Sequence, residues 1–334
     1  MQFYTNDEMV KAFFERFHTY RGQTVVPMLE EMAVAEVLIS ACAFVDASGR
    51  TKTDQFIVRR TSAQHATQVT PLGDRFQQLA VRISSDTTLA EAQSTWDPRF
   101  GLLLECVLRR DLLAILAQPR ADLASMACTA DIMNGCVREI GRLGAGPTFK
   151  ASVKRFTADA NSRARRVHQY FNGLNDQVPG AELLRFDCCY EAADLSCLDA
   201  VTAGKPKINL DIDNLDAAMK GIFGERLLGR VWARDYSRRR GHQVHWALLI
   251  SPNRSAPDPI SLIAHSWSEI TSGAGSLYDA RVPNAAFQFR GLSVPIGHYF
   301  QSSTAEFIRR TAVFMGATAL YSKHLSVGTT FSHH

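Results

Sequence analysis

Three residues in the second half of the chain have the types and spacing to hold a hard metal ion. Gln243 and His245 lie two apart in the apolar run Gly241-His-Gln-Val-His-Trp-Ala-Leu-Leu249. In a β-strand both would project from one face while Val244 turns to the other. The segment Tyr236 to Gly241 reads as a hairpin turn joining this strand to a preceding one, Leu227 to Asp235. Closing the hairpin there brings Asp235 beside Gln243. A carboxylate, an amide oxygen and an imidazole then converge, a donor set that suits Mg²⁺ or Mn²⁺ better than structural zinc. Such an ion would draw charge from a scissile phosphate, and Arg238, Arg239 and Arg240 at the hairpin tip would grip the flanking nucleic-acid backbone. The plainer reading of the same spacing is a hydrogen-bonded strand histidine and an aspartate that merely ends a strand.

These residues need a sheet to present them. Leu183-Leu-Arg-Phe-Asp-Cys-Cys-Tyr190 reads as a strand, Asn209 to Phe223 as a helix opened by acidic residues, and Leu227 to Asp235 and His242 to Ile250 as two further strands. Asp258-Pro259 starts a helix through Ile270, a short strand is expected near Ala286 to Phe289, and Ser302 or Ser303 caps a final helix toward Leu320. The order β-α-β-β-α-β-α predicts a ferredoxin-like split βαβ domain with an antiparallel sheet over residues 181–325. Residues 1–147 are expected to form a mainly helical domain, with helices starting near Asn6 or Asp7 and at Asp97-Pro98, and another from Ala121 to Leu143. Gly144-Ala-Gly-Pro147 marks the expected boundary. Thr51 to Thr70 is polar, partly β-branched and fits no element clearly. The expected fold class is α+β, and the helical half offers no chemical motif.

With 46% apolar and 21% charged residues, the composition argues against extended disorder. A net charge of +4 over 334 residues does not by itself identify a nucleic-acid binder, so the clustering of charge matters more. Between Arg138 and His168 stand Arg138, Arg142, Lys150, Lys154, Arg155, Arg163, Arg165 and Arg166, against only Glu139 and Asp159. The seven cysteines lack C-x-x-C spacing, lie mostly in apolar stretches and read as reduced, buried thiols. The N-terminal run has no apolar core of a signal peptide, and the apolar stretch Phe100 to Leu116 is broken by Glu105, Arg109, Arg110 and Asp111. The expectation is a cytoplasmic protein without a membrane partner.

Several segments in a fixed order carry a resemblance. The runs Leu227-Leu-Gly-Arg-Val-Trp-Ala-Arg-Asp-Tyr236 and Gly241 to Leu249, the helix with His265-Ser-Trp267, Gly273-Ala-Gly-Ser276 and the upstream strand Leu183 to Tyr190 together resemble the YagK/YfjJ group of prophage proteins and the inovirus replication proteins. The resemblance covers roughly the last 150 residues. It implies similarity to rolling-circle replication initiators, endonucleases in which paired strand histidines hold a divalent ion and a tyrosine on the C-terminal helix attacks DNA. That attack leaves a 5′-phosphotyrosine and a free 3′-hydroxyl. Carried over by position, the histidine pair falls on Gln243 and His245 and the acidic position on Asp235.

The chain departs from that pattern twice. Gln243 stands where histidine is usual, and Phe314 stands where the resemblance places the tyrosine. Tyr321, with Lys323 nearby, is the best remaining nucleophile, and Tyr299 is a poorer one. A free phenol has a pKa near ~10, so attack at neutral pH needs an adjacent cation or base, which Lys323 would help to supply. Two readings follow. One is a metal-dependent DNA endonuclease in rolling-circle replication that binds single-stranded DNA and forms a phosphotyrosine. The other is a non-catalytic DNA-binding or regulatory protein with a decayed nuclease site. An RNA-binding module on the same sheet is the weaker third, because no aromatic pair at strand spacing offers a stacking platform.

Overall fold

The computed structural model describes residues 6–15, 18–21, 24–27, 29–60, 65–85, 94–117, 123–190, 198–237, 241–252, 258–280, 287–289, 292–294, 304–318, 322–324 and 331–333. In chain order the elements are α1 (Asn6–Glu15), β1 (His18–Arg21), β2 (Thr24–Pro27), α2 (Leu29–Ser48), β3 (Phe56–Arg60), β4 (His65–Val69), α3 (Pro71–Ser85), β5 (Ser94–Trp96), α4 (Pro98–Arg109), α5 (Leu112–Ala117), α6 (Leu123–Gly144) and α7 (Pro147–Gln177). There follow β6 (Glu182–Tyr190), α8 (Leu198–Phe223), β7 (Leu227–Ser237), β8 (Gly241–Ile250), α9 (Pro259–Ile270), β9 (Gly275–Asp279), β10 (Phe287–Phe289), β11 (Leu292–Val294), α10 (Thr304–Ala317), β12 (Ser322–His324) and β13 (Phe331–His333). The fold is α+β with antiparallel strand pairing.

Two compact units result, Ala33–Ala158 and a discontinuous one made of Met1–Met32 with Asp159–His334. This differs from the division into 1–147 and 181–325 expected from sequence. The Gly144–Pro147 cluster does stop α6, but Pro147 immediately opens α7, since its missing N–H is not needed at a first helical position. The cluster is therefore a turn between two helices. The change of unit comes inside α7, where no breaker residue announces it.

In the unit Ala33–Ala158, α4 begins as expected. Asp97 accepts a hydrogen bond from the Arg99 backbone N–H at 2.9 Å, with Pro98 in the first turn. The unassigned stretch Thr51 to Thr70 contains the antiparallel hairpin of β3 and β4. Its first strand is tied to α6 by Asn134, whose Oδ1 accepts from the backbone N–H groups of Gln55 (2.8 Å) and Phe56 (3.0 Å) and whose Nδ2 donates to the Phe56 carbonyl (2.7 Å).

The discontinuous unit is built on a five-stranded sheet in the order β13-β7-β8-β6-β9. Alternation along its strands gives two apolar faces. On one, Leu183, Val231, Ala233, Ala247 and Leu249 pack with Val167 and Phe171 of α7 and with Phe307, Ile308, Ala312, Phe314 and Met315 of α10. On the other, Leu184, Phe186, Val244, Trp246 and Leu248 pack with Ile212, Leu215 and Met219 of α8 and with Ile263 and Trp267 of α9. Asp258 caps α9, accepting from the Ser261 N–H at 3.2 Å.

Two elements of this unit differ from expectation. α8 begins at Leu198 rather than at Asn209. The strand that follows α9 in the sheet is β9, paired with β6, whereas β10 pairs only with β11 among the described residues. Gly273 explains the early return: its φ of 83° reverses the chain one turn after the helix ends, a conformation that costs glycine little. Gly275 is equally constrained, because a Cβ there would lie 2.4 Å from Trp267 Nε1.

Among the described residues no helix is long and apolar enough to cross a membrane. Cys42, Cys106, Cys136, Cys188 and Cys189 are buried free thiols, Cys128 is an exposed one, and Cys197 lies outside the described residues.

Candidate functional site

Register fixes the site. β7 pairs with β8 so that Asp235 stands opposite Gln243 and Ala233 opposite His245, and β6 pairs with β8 so that Asp187 stands opposite His245. All four polar residues share the sheet face covered by α10, following the period-two rule. Register thus sets Asp235 beside Gln243, two residues from His245 on the same face, with Asp187 opposite His245. They are deeply buried, at 7%, 1%, 0% and 1% exposure in the order Asp235, Gln243, His245, Asp187.

His245 lies between two carboxylates. Its Nδ1 is 2.7 Å from Asp187 Oδ1, a hydrogen bond, and its Nε2 is 3.8 Å from Asp235 Oδ2, beyond hydrogen-bonding distance. Burial works against a charged imidazole, but the charge and hydrogen bond of Asp187, reinforced by Asp235, outweigh it and raise the His245 pKa above its ordinary value.

The neighbouring position on the same strand face is also ionic. Arg185, two residues before Asp187, is fully buried, and its Nη1 donates to Glu15 Oε1 of α1 at 2.7 Å. Its guanidinium carbon lies 3.5 Å from the centroid of the Phe314 ring, a cation–π contact. The same ring meets His245 edge-on, centroids 5.0 Å apart and planes at 87°. Phe314 therefore links the Arg185–Glu15 pair to the Asp187–His245–Asp235 group. It is also the position at which the resemblance places the nucleophilic tyrosine.

The other sequence candidates are not joined to this group by the described residues. Arg238, Arg239, Arg240, Tyr299 and Tyr321 lie outside them, and so does the side chain of Lys323, whose backbone is in β12. Among the described residues, no cluster of three or more His, Cys, Asp or Glu side chains is arranged to hold a metal ion. Two donors, His245 Nε2 and Asp235, do face each other, with the Asp187–His245 hydrogen bond orienting the ring as a carboxylate commonly does behind a ligating histidine. Mg²⁺ usually keeps several water ligands, whereas the side chains that face each other here are 0–8% exposed. In this arrangement the residues fit a closed ionic network better than a catalytic metal centre.

The sequence does not single out Asp187, although it lies within the expected strand Leu183 to Tyr190. A charged pair two apart, Arg185 and Asp187, within an otherwise apolar strand was the available signal, since charges on a buried face need partners.

No protein-family model matches the chain, and neither does any curated protein or solved structure.

Proposed function

We propose that the chain is a replication-initiator-like protein of a phage or prophage that binds DNA and whose nicking centre has become a structural ion network. The observation that carries this reading is Phe314. A side chain without a hydroxyl packs 5.0 Å from His245, at the position where the resemblance calls for tyrosine. The strand order β7-β8-β6-β9, with α8 and α9 on one face, supports the ferredoxin-like reading of the sheet. The arginine run Arg238 to Arg240 supports an anionic partner.

The competing reading keeps the nuclease: Asp235, Gln243 and His245 hold Mg²⁺ or Mn²⁺, Tyr321 attacks and Lys323 assists. The facing of His245 Nε2 and Asp235 is what favours it. Incubating the protein with end-labelled single-stranded DNA and Mn²⁺, followed by a denaturing gel, separates the two. We expect retarded mobility on native gels and no covalent adduct. An adduct that disappears in Tyr321→Phe and His245→Ala would establish the nuclease instead, and absence of any DNA binding would defeat both.

A further inference from the structure

The hairpin of β3 and β4 is a feature that the proposed site leaves unused. It lies wholly within the unit Ala33–Ala158 and forms a two-stranded antiparallel ribbon, with Ile57 opposite Gln68 and Arg59 opposite Ala66. Phe56, on the inner face, is buried, and Asn134 fastens its backbone to α6. Alternation then turns Ile57, Arg59, Ala66 and Gln68 outward, and all four are exposed. The chain reaches this ribbon by running along α6. A Cβ on Gly141 would lie 2.7 Å from the Ser48 carbonyl oxygen, and Arg138, on the preceding turn, pairs with Asp54 at 2.5 Å. Arg50 and Lys52, both exposed, belong to the stretch between these two anchors, and exposed Arg142 is one turn of α6 beyond Arg138. Asp54 is the one carboxylate between residues 48 and 60, and Arg138 occupies it. None of Arg50, Lys52, Arg59 and Arg142 has an ion-pair partner among the described residues.

We infer that the β3–β4 ribbon enters the major groove of duplex DNA, with Arg59 and Gln68 facing the base edges and Arg50, Lys52 and Arg142 holding flanking phosphates. The major groove admits a two-stranded ribbon, and it presents the guanine and adenine edges to which arginine and glutamine make paired hydrogen bonds. Arg59 and Gln68 are diagonal neighbours on the ladder. Such positions stand roughly 7–8 Å apart, close to two base-pair steps of ~3.4 Å. Ala66 and Ile57 offer apolar contact to thymine methyl groups. No aromatic side chain is exposed on this outward face, whereas surfaces for single strands stack bases on aromatic rings. The inference rests on the DNA-binding reading and gives the unit Ala33–Ala158 a duplex-reading role separate from the arginine run Arg238 to Arg240.

Selection from a random-sequence duplex library with the full chain tests it. Fluorescence anisotropy then follows on the selected duplex, a labelled random-sequence duplex and a labelled single strand, across a salt series. Gln68→Ala, which changes no charge, should lower affinity for the selected duplex by about 5- to 150-fold and leave the random duplex unaffected. Arg59→Ala should lose a similar factor on the selected duplex. Arg50→Gln, Lys52→Gln and Arg142→Gln together should weaken both duplexes alike. At ~0.9 per lost phosphate contact, the slope of log K against log salt should become shallower by about 2 to 3. Matching thermal melts show that the variants are folded. If Gln68→Ala and Arg59→Ala keep the parent's sequence preference, or the triple variant keeps its slope, the ribbon assignment is overturned and the DNA-binding reading stands. The same follows if the parent binds duplexes without preference or binds single strands alone. If the parent binds neither, the reading itself falls and the inference with it.

Discussion

A histidine buried between two carboxylates supports the fold most when it carries a proton. Because the folded pKa of His245 is raised above an unfolded value near ~6.5, its stabilisation is complete below that pH and is lost as pH rises through the folded pKa. The melting temperature should therefore fall over that alkaline-going window. The Asp187→Asn variant, which removes the main charge raising the pKa, should show a smaller fall; equal pH profiles would remove His245 as the cause. The Glu15–Arg185 pair makes a second prediction. Its side chains are 10% and 1% exposed, so Glu15→Gln, which removes the negative charge from a buried pair, should lower stability in denaturant unfolding by a few kcal/mol, up to about 3–5. Replacing both partners together, Glu15→Leu with Arg185→Met, should cost clearly less. Phe314→Ala should lose about 3–5 kcal/mol through the cavity it leaves, a penalty that Phe314→Leu would largely avoid.

Elements were legible where their signals are local. Asp97-Pro98 and Asp258-Pro259 mark helix starts because the cap and the helix it serves are adjacent in sequence. Asp235 and Gln243 could be placed side by side because one short turn sets the register of β7 on β8. Asp187 could not be placed against His245, since that contact depends on β6 meeting β8 across 58 residues of chain. The β3–β4 hairpin was obscure for the same reason: the side chain that anchors it, Asn134, is 78 residues from Phe56. Asn134→Ala leaves two backbone groups of Phe56 on β3 and one of the adjoining Gln55 without this partner and should destabilise the chain by about 2–4 kcal/mol. Hydrogen exchange should show the loss first in β3 and β4; uniform loss across the chain would mean that the hairpin and its surroundings open as one.

At the scale of the whole molecule, the N-terminal segment belongs to the same discontinuous unit as the five-stranded sheet. Glu8 of α1 pairs with Arg309 of α10 at 2.6 Å, as Glu15 does with Arg185 of β6. Substituting both glutamates by alanine should weaken hydrogen-exchange protection in β6 and α10 while leaving α6 unchanged. Loss confined to α1 would show that the sheet does not depend on it. The same connectivity bears on how the chain is made. At ~5–20 residues per second, the 170 residues separating Glu15 from Arg185 take roughly 9–34 s to emerge from the ribosome. During that interval all of Ala33–Ala158 has left the tunnel and can fold, whereas α1 has neither of its arginine partners. α1 is thus made well before the strand and helix that receive it, and until they arrive its apolar residues Met9, Phe13 and Phe14 are open to the chaperones that meet nascent chains.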